Sequence, residues 1–276
     1  MALSVNTNVT SMTAYNNLSK TQSSLSTSFA RLSSGLRINS AADDAAGLGV
    51  AKSMNAQVRS YAVAERNTND AISMLQTADG GAEQVHGLLT RMRELAVQSS
   101  NGSYNDATDR ANIDAEFQQN LSEIGRIASS VQVNGKNLLA GSTAATTFQV
   151  GIGTAASDKI AITFGGVDTT GLTMTGTSVG TVAGSQDAIT KIDAAISSLS
   201  KTRANFGAGM NRFQATVTNL QSMQTNTAAS LSRIQDTDVA TETAALSKNQ
   251  VLSQAGAAIL AQANQTPQLA MGLLRG

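Results

Sequence analysis

The chain contains one histidine, one proline and no cysteine, and these counts dispose of most catalytic chemistry. A single imidazole, His86, cannot form a two-histidine metal site or an HExxH protease, so packing or a solvent-facing position is its expected role. The serines have no histidine base to spare, and no G-x-S-x-G elbow occurs. Without a thiol there is no disulfide scaffold, thiolate nucleophile, iron–sulfur cluster or thiolate zinc site. Gly151-Ile152-Gly153-Thr154-Ala155-Ala156 follows the outline of a dinucleotide fingerprint. That fingerprint needs a helix after it to hold the pyrophosphate; a second β-like run follows instead, so a turn is expected. The carboxylate pairs Asp43-Asp44 and Asp236/Asp238 sit near helix breaks, where caps or hinge contacts are expected. Asn-x-Ser/Thr sequons at Asn8, Asn17, Asn101 and Asn120 carry little weight where no signal peptide is read. Arg91 and Arg93 flank the apolar positions Met92 and Leu95, and a solvated helix face is expected of them. No enzyme, no cofactor and no metal is implied.

The positioning elements follow from composition and spacing. Nineteen basic residues balance nineteen acidic ones over 276 residues, with six phenylalanines, three tyrosines and no tryptophan. The zero net charge argues against a nucleic-acid partner, which a basic face would attract. No stretch approaches 18 apolar residues, so membrane insertion is not expected. The first residues, Met1-Ala2-Leu3-Ser4-Val5-Asn6-Thr7, lack a basic n-region and an apolar h-region, so no cleavable signal peptide is expected. Alanine and small polar residues make up about half the chain. Large apolar side chains are too few for a thick core but sufficient for narrow seams between helices.

Those seams are visible. From Ile189 a three–four alternation picks out Ile192, Ile196, Leu199, Phe206, Phe213, Val217 and Leu220, with polar exceptions at Arg203, Gln224 and Thr227, and reaches Leu231 and Ile234. The run implies a helix about 70 Å long at roughly 1.5 Å per residue, softened at Gly207 and Gly209. Met54, Val58, Tyr61, Thr68, Ile72 and Leu75 start a second seam, and Ala78, Gly81, Val85, Leu88, Met92, Leu95 and Ser99 continue it. After the turn signal Asn101-Gly102, a shorter helix carries Ile113, Phe117, Leu121, Ile124, Ala128 and Val131, with Asp106 or Thr108 as candidate cap. Asn134-Gly135 and Gly141 close it. The expected fold is mainly α: a long antiparallel helical rod or coiled-coil bundle.

The ends and the middle differ from this rod. Leu18, Leu25 and Leu32 fall seven apart, with Phe29 and Leu36 between them, and Leu252, Ala255, Ile259 and Ala263 repeat the spacing near the carboxyl end. Flanked by uncharged polar residues, neither helix buries much alone, and both are expected to need a partner. Between about 141 and 185 threonine and glycine dominate. Short alternating runs at 148–150 and 159–164 imply a small β-hairpin insert at the tip of the helical hairpin.

Several strings are specific enough to carry a resemblance. Val5-Asn6-Thr7-Asn8, the unbroken run Leu32-Ser33-Ser34-Gly35-Leu36-Arg37-Ile38-Asn39-Ser40-Ala41-Ala42-Asp43-Asp44-Ala45-Ala46-Gly47-Leu48, the segment from Arg66 to Ala78, Met92-Arg93-Glu94-Leu95-Ala96-Val97-Gln98, Ala261-Gln262-Ala263-Asn264-Gln265 and Leu273-Leu274-Arg275 together resemble bacterial flagellins. The resemblance spans about 1–140 and 186–275. The chain departs from the family by its reduced middle and by Gly276 after the Leu-Leu-Arg ending.

The resemblance implies a structural subunit that polymerises helically into the flagellar filament for swimming, exported unfolded by the flagellar type III apparatus and therefore secreted to an extracellular filament. It implies an inner-tube domain of about 1–44 and 235–276, whose seam would be Leu18, Leu25, Phe29, Leu32, Leu252, Ile259, Leu273 and Leu274. A rod of 45–140 and 186–234 and the insert of 141–185 would lie outside it. Partners implied are further copies of the chain, the hook–filament junction and filament cap proteins, and the flagellin export chaperone. Arg91, Leu95 and Glu116 match the family's surface for Toll-like receptor 5 and for contacts between subunits. Leu273-Leu274 resembles the segment bound by the chaperone and sensed by cytosolic inflammasome receptors. The hook–filament junction protein shares the terminal helices and is the alternative within this architecture. A protease-bearing flagellin would need more residues and ligands than the insert offers, and a coiled-coil adhesin would not need the Leu-Leu-Arg ending.

Overall fold

In the computed structural model residues 7–141 and 145–274 are described, the side chains of 266–274 excepted. Val5, Asn6, Arg275, Gly276 and the side chains of Leu273 and Leu274 therefore lie outside the described residues. The elements run α1 (Val9–Ser34), α2 (Ala45–Ser99), α3 (Asp109–Ser130), β1 (Gln132–Val133), β2 (Lys136–Asn137), β3 (Ala145–Gln149), β4 (Lys159–Thr163), α4 (Val182–Gln235) and α5 (Val239–Leu274). They form two compact units, Met1–Val58 with Asn226–Gly276, and Arg59–Thr225; α2 and α4 contribute to both.

The central unit owns the core. Leu75, Val85, Leu89, Met92 and Leu95 of α2, Phe117 and Ile124 of α3, and Ile192, Leu199, Phe206 and Phe213 of α4 are all buried in one cluster. The rod-seam positions from Ile192 to Leu220 are buried or half-buried: Val217 and Leu220 are buried, and Ile196 is half-buried against the cluster. Ion pairs lace the helices outside it. Arg91 joins α2 to α3 through Glu116, Arg93 joins α2 to α4 through Asp193, and Arg203 joins α4 to Asp79 and Glu83.

The β insert is not at the tip. Helix α3 has 22 residues against 55 in α2 and 54 in α4, so it covers only part of the groove between the longer helices. The hairpin of β3 and β4, paired from Ala145↔Thr163 to Gln149↔Lys159, covers the next part. Phe148 meets Phe213 edge-on at 5.6 Å, Phe164 packs on Phe206 at 5.8 Å, and Asn67 Nδ2 donates to the Gln149 carbonyl. A Cβ on Gly209 would lie 3.1 Å from Ile162 and 3.2 Å from Leu75. One glycine read as a soft point thus makes room for Ile162 of the strand and Leu75 of α2. The irregular run 164–181 then climbs back beside α3, burying Val167, Leu172, Met174 and Val179, until Asp114 Oδ1 accepts from the Val179 amide at 2.7 Å. A second hairpin, β1–β2, turns through Asn134 and Gly135, both at positive φ, as a two-residue turn requires.

The terminal unit is the α1–α5 pair with the chain breaks beside it. Arg37 N–H donates to the Gln235 carbonyl at 2.6 Å and Thr237 N–H to the Gly35 carbonyl at 3.0 Å. The Arg37 guanidinium caps the end of α4 by donating to the Ile234 carbonyl at 2.6 Å, a favourable site for a cation. The carboxylates read as caps or hinge contacts take those places. Asp44 Oδ1 accepts from Gly47 N–H at the start of α2, Asp238 accepts from Ala240 and Thr241 at the start of α5, and Asp43 accepts from Asn39 and Ser40 in the break. Asp236 joins the hinge through its backbone, bridged to Leu36.

Candidate assembly surfaces and family

Helices α1 and α5 meet along a narrow and largely polar seam. On α1 Leu18, Leu25 and Leu32 are half-buried, as their spacing implied, and Ser28 is buried. On α5 the inward positions are Glu242, Ala245, Leu246, Asn249, Ser253, Gly256, Leu260 and Ala263. A Cβ on Gly256 would sit 3.3 Å from the Leu18 Cδ1 atom, so glycine lets the two backbones close. Arg31 reaches Glu242 at 3.6 Å across the pair.

Three expected seam residues are not in this seam. Phe29 is 51% exposed, Leu252 46% and Ile259 60%. The inward row of α5 runs through 249, 253, 256 and 260, one position away from the row containing 252 and 259. Small and polar side chains occupy it because the helices approach too closely for leucine at every turn. Phe29, Leu252 and Ile259 instead join Val9, Met12, Tyr15, Val239 and Val251 on the outward faces.

In the central unit Arg91 and Glu116 share an exposed patch. Arg91 Nε donates to Glu116 Oε1 at 2.9 Å, and its Nη1 to Glu94 Oε2 at 3.0 Å. These hydrogen bonds, to Glu94 first and to Glu116 second, raise the guanidinium pKa. Leu95 is not on the surface: it is 2% exposed within the core, because on α2 it points along the Met92 row while Arg91 points out. A shallow groove of about 440 Å³ beside the patch is lined by Thr90, Arg93, Glu94, Val97 and Gln98. His86 is half-buried on the same helix. The Gly151–Ala156 segment links β3 to one 3₁₀ turn and then β4, so no helix amino terminus follows it for a pyrophosphate.

One residue that spacing could not reveal organises the α2–α3 turn. Arg110 is 3% exposed, yet its guanidinium is satisfied by the carbonyls of Ser99, Asn101 and Tyr104 at 2.6–2.8 Å and by the Asp106 carboxylate. Asp106 is engaged there, and Thr108 makes no side-chain cap to α3, so neither plays the expected capping role. Among the described residues no group of acidic or histidine side chains could hold a metal ion, and no helix is long and apolar enough to cross a membrane.

One unit thus has a core of its own and the other a helix pair with apolar outward faces, and comparison with known proteins identifies the arrangement. The bacterial flagellin N-terminal helical region matches residues 5–144, and the bacterial flagellin C-terminal helical region matches residues 189–274. The flagellin of Halalkalibacterium halodurans is 39% identical over 98% of this chain and 99% of its own. That of Bacillus subtilis is 36% identical over the same shares. A flagellar filament core protein of Brachyspira hyodysenteriae is 39% identical, again over 98% and 99%. The crystal structure of Bacillus cereus flagellin, 35% identical, superposes with a TM-score of 0.50 over 60% of this chain and 94% of that one. These matches favour a filament subunit over a hook–filament junction protein, and the chain belongs to the bacterial flagellins.

Proposed function

We propose that this filament subunit is added to a growing end through the outward apolar faces of α1 and α5, which become buried only against further copies of the chain. The observation that carries the reading is the exposure of Phe29, Leu252 and Ile259, together with Met12, Tyr15 and Val251. Large apolar side chains exposed together on one helix pair mark an interaction site. Repetition of one heterologous contact builds an open helical polymer. The role is mechanical, with no reaction catalysed. Export through the flagellar type III channel as an unfolded chain is consistent with the absence of cysteine. The export chaperone and the junction and cap proteins are the partners that this route requires. The inner tube would comprise about 1–44 and 235–276, and Leu273-Leu274 would lie at its carboxyl end.

Purified monomer mixed with short filament fragments tests this directly. Pelleting and negative-stain microscopy should show long tubes; monomer that stays soluble beside intact seeds would sink the reading.

A second surface has its own support. Arg91 and Glu116 form one exposed ion pair at positions matching the family's receptor-contact surface, with Leu95 holding the helix beneath. On this reading the monomer is a ligand of Toll-like receptor 5. Arg91→Asp should abolish receptor signalling in reporter cells while leaving the helical circular dichroism spectrum intact. Undiminished signalling would remove the assignment.

A further inference from the structure

The only proline of the chain, Pro267, lies in the interior of α5. A proline there has no amide hydrogen for the carbonyl four residues earlier, which is that of Ala263. In this chain the carbonyl has another donor: Asn8 Nδ2 reaches it at 2.7 Å. The opposite face of the same amide caps α1, Asn8 Oδ1 accepting from Ser11 N–H at 3.1 Å and from Thr10 Oγ1 at 2.7 Å. Two donors on one side and an acceptor on the other fix the orientation of the amide. Beside it Ser11 Oγ donates to Asn264 Oδ1 at 2.7 Å. One side chain thus closes the start of α1 and repairs the gap that a proline leaves in α5.

We propose that Asn8 and Pro267 together form a register lock for the α1–α5 pair, with Asn8 as a positioning residue for filament assembly. The second part rests on the reading that this pair carries assembly. The rest of the seam adds only the Gly256–Leu18 contact and the Arg31–Glu242 ion pair to its register, since Asn249 and Ser253 offer no distinctive knob and Leu18, Leu25 and Leu32 repeat every seven residues. A slip by one heptad displaces the helices by about 10 Å, and the leucines then meet the same kind of small or polar row, though Leu18 moves off Gly256. It also takes Asn8 Nδ2 away from the Ala263 carbonyl, which makes the alternative registers unequal. A break in the helical hydrogen-bond ladder singles out one carbonyl for a side chain to read, and the chain's sole proline supplies such a break.

The test uses the full chain carrying Leu18→Cys and Gly256→Cys. The Gly256 Cβ position lies 3.8 Å from Leu18 Cβ, close to the roughly 3.8 Å typical of a disulfide. With no native cysteine, every intrachain cross-link reports the native register. Four backgrounds are compared: native, Asn8→Ser, Pro267→Ala and the double variant. Serine still caps a helix but is too short to reach Ala263, and alanine at 267 restores the missing N–H. Asn8→Ser should slow cross-linking by about fivefold and raise the critical concentration for seeded growth by a similar factor. In the double variant both should return to within about twofold of Pro267→Ala alone. Native cross-linking by Asn8→Ser would overturn the lock, as would an equal defect with and without proline, which would reduce Asn8 to a helix cap. A native chain that cross-links at full rate but never elongates seeds would count against the assembly reading alone, since cross-linking needs no filament.

Discussion

The two units use nearly the same residue types and reach opposite ends. Among the described residues, the buried apolar side chains from Ala64 to Leu220 belong to the central unit, whereas the terminal unit buries only Ile38 and Ala51. Most of the exposed large apolar side chains are distributed the other way: Val9, Met12, Tyr15, Phe29, Val239, Val251, Leu252 and Ile259 all stand on α1 and α5. Burial of apolar surface is the main favourable term in folding, at about 25 cal/mol per Å². A two-helix pair whose seam sets half-buried leucines among glycine, serine and asparagine cannot offset much chain entropy on that account. The central unit, with three helices and a hairpin around one cluster, can. The contrast teaches that one unit carries a core of its own, whereas the proposed assembly would cover the apolar faces that the other leaves in water.

The sharpest way to break the comparison is to charge the outward face. Ile259→Glu changes a side chain that is 60% exposed, so the monomer should keep its spectrum and the melting transition of its central unit. In the filament the same carboxylate would be buried without a partner, a cost of several kcal/mol. Seeded elongation should fall by at least about a hundredfold. Normal growth would show that this face stays in water and that the terminal unit does not assemble through it.

The complementary variant strikes the other unit. Phe213 is fully buried and holds Phe148 of the hairpin edge-on. Phe213→Ala should cost about 3–5 kcal/mol of stability, read as a lowered melting temperature of the monomer by calorimetry. Below that temperature elongation should persist, because the outward faces of α1 and α5 are untouched. If Phe213→Ala and Ile259→Glu moved both readouts alike, the division of labour would fail.

The same contrast governs what was legible in the sequence. The seam from Ile192 to Leu220 was readable because large apolar residues alternate with polar ones at a helical period and only one face can be core. The α5 seam was misread because the period is equally satisfied by Leu252 and Ile259 and by Ser253 and Leu260. Hydrophobicity favours the first row, and close approach through Gly256 decides for the second. The run 164–181 carries Val167, Leu172 and Met174 into the core with no period at all, so spacing alone left it as turns beyond a hairpin. Arg110 belongs to no seam or motif, since three backbone carbonyls leave no trace in a sequence. Asn8 and Pro267 stood in or beside strings that identified the family, and neither string hinted that one repairs the other.

Acid should separate the units more gently. In the terminal unit the Asp43 carboxyl is held below its ordinary pKa, chiefly by the Ser40 amide and hydroxyl, and Asp238 by the Thr241 hydroxyl and the Thr241 and Ala240 amides. In the central unit the Arg93 guanidinium holds Asp193 low and that of Arg126 holds Glu123 low. A carboxyl with a depressed folded pKa contributes its stability above the unfolded value, about 3.9 for aspartate, and loses it as pH falls through the folded value. Stability should therefore be level from pH 7 to about 5 and decline below about 4. All four groups are on the surface, so each effect is small, yet the terminal unit has no core to absorb the loss of its hinge caps. Oxidative cross-linking of the Leu18→Cys/Gly256→Cys chain cannot follow this, since thiolate is scarce in acid. Limited digestion with an acid protease can, and its first cuts near about pH 3 should fall in 36–44 and 236–241 rather than in 59–225. Asp43→Ala with Asp238→Ala, which removes the accepting oxygens, should bring those cuts on at neutral pH with a protease active there. An identical digestion pattern in the native chain and this double variant would mean that the carboxylates do not hold the breaks, and that Arg37 and the paired backbones do so alone.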